Sequence, residues 1–204
     1  MDHLRFSGAG DAIQRQALEA IIRSQPVLME VLQGLRELGL PDHLLVAGAI
    51  YNHVWNSLTG RPPLTGVNDI DVFYFDGSDI GWDAEDAIIR ECAARFGHLP
   101  IPVQVRNQAR VHLWFEQKFG IPFTPLNSSG EMISRYASRP YAVGARLHPG
   151  GDIDIVAPFG LDDLFSFRIT PNPALNNRSL HQQKGESLRQ IWPELTFVPW
   201  PEDQ

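Results

Sequence analysis

The stretch "DIDVFYF", from Asp69 to Phe75, reads as a buried strand yet carries two carboxylates on one face. Alternate strand residues project to the same side, so Asp69 and Asp71 stand together with alpha carbons roughly 7 Å apart. Phe73 and Phe75 continue that side, while Ile70, Val72 and Tyr74 fill the other. Acids this close repel unless water reaches both or a cation lies between them. A hard ion such as Mg²⁺ (or Mn²⁺) takes oxygen ligands and is the natural neutraliser. The bland alternative is a solvated strand end, and for a bare D-x-D it is the commoner one.

What precedes the strand shifts that balance. "LLVAGAIYNHVWNSLTG" is an apolar run, then a small-residue step at Gly48 and Ala49, then a helical pattern. Ile50, Val54 and Leu58 recur at i+4 spacing with Tyr51 and Trp55 beside them, and Gly60 closes the segment. The first amides of such a helix are free to bind an anion, and small side chains let a phosphate approach. Gly48 as a plain packing position is the alternative. Together, an anion-binding helix start and a paired-carboxylate strand describe a metal–triphosphate site.

Residues 11 to 38 read as two helices meeting near Ser24 and Gln25, because Pro26 suits a first turn; Gly39 is the stop. "DAEDAIIRECAARFG" reads as a helix with Asp83 as its cap, and "IPVQVR" as a second strand. A helix capped by Asn107 is expected to run to Phe119. Ser128 with Glu131 resembles a capping box. "YAVGARL" and "DIDIVAP" flank "HPGG" as a β-hairpin, and a strand is expected from Phe165 to Ile169. Strands separated by helices, then a hairpin, indicate an α/β or α+β fold. The chain is expected to be one domain over 1–204, with N-terminal helices to residue 40, a core over 44–173 and an extended tail over 174–204.

Of 204 residues, 43% are hydrophobic, enough for a sizeable core. The net charge of -7 and scattered basic residues argue against a long nucleic acid as partner. A single cysteine, Cys92, and no visible signal or membrane-spanning run make the cytoplasm the default location.

The arrangement resembles the nucleotidyltransferase superfamily of DNA polymerase beta. More narrowly, "AGAIYNHVWNSLTGRPP", "NDIDVFYFDGSDIGWDAED", "VRNQARVHLWFEQKFG" and "APFGLDDLF" are similar to a bacterial family of nucleotidyltransferase-like proteins. The resemblance implies an α+β nucleotidyltransferase-like fold, a mixed sheet flanked by helices. It places Gly48 and Ala49 at the superfamily's Gly-Gly/Ser step, without the serine hydroxyl, and Asp69 and Asp71 at its D-x-D. A third acid is expected on "VQVRNQA", where Gln104 stands instead, with Arg106 on the same face. Asp152 and Asp154 repeat the D-I-D pattern on the hairpin, where a polar strand face is the better reading. Asn52, Asn107 and Arg110 are candidate nucleotide contacts, and His112, with Gln104, a candidate base or acceptor contact. Zinc-ligand patterns, P-loops and a nucleophilic-serine motif are missing from the sequence.

The expected activity is therefore Mg²⁺-dependent transfer of a nucleoside monophosphate from an NTP to a small-molecule or protein hydroxyl. The alternative is a nucleotide-binding module whose active site has degenerated at Gln104. The sequence leaves the acceptor, the NTP and the oligomeric state open.

Overall fold

The computed structural model of the protein describes residues 2–201, so Met1 and residues 202–204 of the expected domain span lie outside the described residues. Helices α1 (Asp11–Arg23) and α2 (Pro26–Leu38) divide where Pro26, whose missing N–H costs nothing in a first turn, starts the second. Gly39, at φ 64°, ends α2. Strand β1 (Leu44–Val46), helix α3 (Gly48–Thr59), strand β2 (Ile70–Tyr74), helix α4 (Trp82–Phe96) and strand β3 (Val103–Asn107) follow. Gly81, not Asp83, caps α4; Asp83 sits in the first turn, where its charge suits the helix dipole.

The single helix expected from Asn107 to Phe119 is a correction. Residues Gln108–Leu113 wind as a 3₁₀ turn, Trp114 leaves helical geometry at φ -133°, and only α5 (Phe115–Phe119) is α-helical. Asn107 does cap the turn, its Oδ1 accepting from Ala109 N at 3.0 Å. Helix α6 (Ser129–Ile133) starts with Ser128 Oγ accepting from Glu131 N at 3.1 Å, while the Glu131 carboxylate takes the amide of Asn127 at 2.8 Å. Strands β4 (Gly144–Leu147) and β5 (Ile153–Val156) form the expected hairpin. The strand expected over 165–169 is shortened, because α7 (Asp162–Phe165) occupies its start and β6 covers Arg168–Ile169.

The tail differs most from its expected extended form: residues Arg178–Ile191 form α8, followed by β7 (Thr196–Phe197). His181, Gly185, Leu188 and Trp192 fall at helical spacing and face inward. His181 bonds Ser138 Oγ and Val198 O; Trp192 donates to Asn56 Oδ1 at 3.1 Å and packs on Trp55. The helix is thus fastened at both ends.

The main sheet runs β3-β2-β1-β4-β5, parallel only between β2 and β3, with β6 and β7 paired separately. This is the mixed α+β arrangement expected. Leu18, Ile22, Leu28, Leu32 and Leu35 of α1 and α2 join Leu45, Val72 and Val105 of the sheet in the main core. On the face of Asp71 and Phe73, α6 comes so near that a Cβ on Gly144 would meet Ile133 Cδ1 at 2.7 Å. A second apolar cluster, around Val111, Phe115 and Leu126, also takes in Phe75 from that face.

Candidate functional site

Strand register assembles the site. β1 pairs antiparallel with β2, Leu44 opposite Phe73 and Leu45 opposite Val72, so the end of β1 and the start of α3 lie beside the start of β2. Ala47 makes the turn between them at φ 53° and ψ -118°, a conformation costing a residue with a Cβ on the order of 1–3 kcal/mol. Its N–H is held by Val143 O at 2.9 Å. The first ladder bonds of α3 are those of Ile50 and Tyr51 to Ala47 O, which leaves the amides of Gly48 and Ala49 outside the ladder. A Cβ on Gly48 would lie 3.5 Å from the Tyr51 hydroxyl and 3.7 Å from Asn52 Nδ2, in the space an approaching anion would use.

Gly48, Tyr51, Asn52, Asp69, Asp71 and Lys184 line one cleft of about 180 Å³. Burial, and then the neighbouring Asp69, hold the Asp71 carboxyl above the usual carboxylate range; Lys184 and Arg106 oppose this only in part. Lys184 comes from α8. Its ammonium lies 5.7 Å from the ring centre of Tyr51 and 5.2 Å from that of Tyr141, a cation–π seat facing the acids. Burial draws the Lys184 pKa down, while Asp71 and Asp69 pull it up. The Tyr51 hydroxyl is pushed up by burial and by both carboxylates, so it stays protonated and able to donate. The cleft therefore holds two acids whose charge one lysine offsets incompletely.

Gln104 stands beside Asp71 in the β2–β3 register and donates Nε2 to Asp69 Oδ2 at 2.8 Å. An amide thus occupies the position where a third carboxylate was expected. Asn52 donates Nδ2 to Gly66 O at 3.0 Å, and its buried Oδ1 has no protein partner. The donor set suits a hard divalent ion in that two carboxylates stand together short of positive charge, while Gln104 turns its amide nitrogen toward Asp69. Among the described residues no group of three or more His, Cys, Asp or Glu side chains gathers as a metal cluster.

The other candidates are not brought there. Asn107 pairs with Tyr74, at the opposite end of β2 from Asp71 and on the alternate face. Its side chain bridges Asp76, donating to the carbonyl at 2.9 Å and accepting from the amide at 3.1 Å. Arg110 is buried in an ion pair with Glu85 of α4, donates Nε to Ile80 O at 2.7 Å, and lies over Trp82. Those contacts consume the guanidinium on the α4 side of the sheet. His112 is half-buried, its Nδ1 without a partner, and does not line the cleft of Asp69 and Asp71. Asp152 and Asp154 are exposed at the β5 edge, separated from β2 by β1 and β4. Lys184 was missed because the tail was read as extended; the inward spacing of His181, Gly185, Leu188 and Trp192 is the signal that reveals its helix.

A second cleft of about 770 Å³ opens on the other side of Asp71, lined by Phe73, Trp114, Phe115, Met132, Tyr136 and the start of α8. Asp71 is the one acid common to both clefts.

The comparisons bear on the fold and the family. A solved NMR structure described as revealing a CCA-adding enzyme head domain superposes with a TM-score of 0.72 at 27% identity, covering 91% of this chain and 96% of that one. A family model described as nucleotidyltransferase matches residues 33–197. The chain belongs to that nucleotidyltransferase family. A crystal structure of a tRNA nucleotidyltransferase with a primer tRNA and an incoming ATP analog matches with a TM-score of 0.40 and 17% identity over 69% of this chain and 38% of that one, and carries no argument. No curated protein matches the chain.

Proposed function

We propose that the protein transfers a nucleoside monophosphate from an NTP to the hydroxyl of a small-molecule or protein acceptor, with Mg²⁺ (or Mn²⁺) as cofactor. The observation that carries this reading is the convergence of Asp69, Asp71, the start of α3 and Lys184 on one cleft. Asp69 and Asp71 would hold the ion, Asp69 giving up the hydrogen bond it accepts from Gln104 Nε2. The bound ion supplies charge neutralisation for the triphosphate and the developing transition state. Amides of Gly48 and Ala49 bind phosphate oxygens at the positive end of α3. Lys184, held over Tyr51 and Tyr141, adds a fixed cation on the opposite wall.

The acceptor oxygen forms a bond to the alpha phosphorus as the bond from that phosphorus to the bridging oxygen breaks. Pyrophosphate leaves with the electron pair, and the hydroxyl proton passes to the Asp71 carboxylate, the acid that borders both clefts. The net charge of -7 favours a compact acceptor over a long nucleic acid. No helix among the described residues is long and apolar enough to cross a membrane, and a cytoplasmic setting is part of the proposal.

The second reading, a nucleotide-binding module without turnover, is favoured by one observation: the Gln104 amide on Asp69 where a third acid would stand. Calorimetry with Mg²⁺ and ATP or GTP, beside a pyrophosphate-release assay over an acceptor panel that includes tRNA, separates the two. Asp69→Asn is expected to abolish Mg²⁺-dependent nucleotide binding while the fold persists, because repulsion with Asp71 is relieved. Nucleotide affinity unchanged in that variant would show the site assignment to be wrong.

A further inference from the structure

The second cleft names a class of acceptor. Its floor and walls are rings and aliphatic chains, among them Phe73, Trp114, Phe115, Phe119, Met132 and Tyr136. Only two of its lining residues are charged, Asp71 and Arg135, and Arg135 is already engaged: it pairs with Glu131 at 2.6 Å and lies over the ring of Phe123 at 4.6 Å. The polar groups, including Asn176, Asn177 and Gln183, come from the α8 side; Asn177 Oδ1 is buried without a partner. At about 770 Å³ the cleft has the size of a pocket for a drug-sized molecule. It meets the smaller cleft at Asp71, so a molecule that fills that end lies against the Asp71 carboxylate.

We infer, building on the transferase reading above, that this cleft binds the acceptor and that the acceptor is a neutral compound with an aromatic or otherwise flat apolar body, its hydroxyl turned toward Asp71. In the metal-free chain an anionic body is disfavoured, because Asp71 is the one lining charge without an ion-pair partner and Asp69 stands beside it. A nucleoside fits less well, because away from the α8 side, where Asn176, Asn177, Ser179 and Gln183 stand, the lining gives its ribose hydroxyls and base edges few hydrogen-bond partners. Flat apolar bodies gain from the same rings by stacking.

The test uses the full chain and 2-naphthol as probe, followed by calorimetry, with 2-naphthoate and adenosine alongside. Saturable 2-naphthol binding is expected, with 2-naphthoate weaker by about tenfold or more and adenosine unable to displace the naphthol. Leu180→Glu puts a charge on the cleft wall at a position 47% exposed, and is expected to weaken naphthol by about tenfold. Phe119→Ser, at 46% exposure, serves the same purpose should the first variant misfold. Absence of saturable naphthol binding, equal binding of naphthoate, displacement by adenosine, or indifference to both substitutions overturns the inference. Titrating Mg²⁺·ATP into the same chain keeps the two readings apart. Nucleotide binding without naphthol binding removes the acceptor class and leaves the transferase; naphthol binding without nucleotide leaves the cleft and removes the transferase.

Discussion

Gln104 shows how one side chain sets the charge of the site. Its Nε2 donates to Asp69, so the pair of acids is tied to the neighbouring strand by a neutral group. Gln104→Glu would replace that donor with a third carboxylate facing two others. Without divalent ions the variant is expected to lose about 0.5–1.5 kcal/mol, from the lost hydrogen bond and solvent-screened like-charge repulsion at this exposed position. Millimolar Mg²⁺ should restore most of the loss, because a ligand that binds only the folded state stabilises it. Thermal melts with and without Mg²⁺ measure this; a midpoint indifferent to the metal in the variant would argue against an ion site at the strand.

Elements, rather than single residues, decide how complete the cleft is. β2 and the residue before its start deliver two acids, Asp71 and Asp69, the β1–α3 turn delivers free amides, and α8 brings a cation to the facing wall. Gly66 is the joint between α8 and the loop below the cleft. It sits at φ 70°, a Cβ there would come 2.5 Å from Trp192 Cη2, and its carbonyl accepts the Asn52 amide. Gly66→Ala is expected to cost about 1–3 kcal/mol through backbone strain and overpacking, and to weaken Mg²⁺·nucleotide binding as the C-terminal end of α8 shifts. Denaturant titration and calorimetry on one preparation test both effects together. The acids were legible from the sequence because strand alternation places Asp69 and Asp71 on one side whatever the strand order. The contribution of α8 was not, because its inward face reads His, Gly, Leu and Trp, of which only Leu188 is aliphatic. Asn107 and Arg110 misled for a related reason. Their residue types suit a phosphate pocket, but register turns Asn107 onto the other face, and Glu85, distant in sequence, claims the guanidinium.

Across the whole molecule, stability and the site are borne by different polar groups. The buried Arg110–Glu85 pair fastens α4 to the turn after β3. Arg110→Met leaves Glu85 buried without its counter-charge and is expected to cost about 3–5 kcal/mol, while the folded fraction keeps its nucleotide affinity. Chemical denaturation read against calorimetry checks this separation. His43, His53 and His181 are each held below the ordinary imidazole value, burial being the largest cause. The unfolded chain therefore binds their protons first. Stability is at its full value above pH 6.5, the unfolded value, and declines as pH falls below it toward the lowered folded values. Melting curves from pH 8 to pH 5 should show that fall, and His53→Gln should reduce its slope.

The late position of α8 along the chain has one more consequence. A protease that nicks the link between Asn172 and Asn177 would spare the sheet and its acids, and leave the helix bearing Lys184 held only by noncovalent contacts, among them those to Ser138, Asn56 and Trp55. Such a clipped molecule would run as two pieces on a denaturing gel while staying assembled in solution, so a truncated band there is no proof that the cleft has lost its cation.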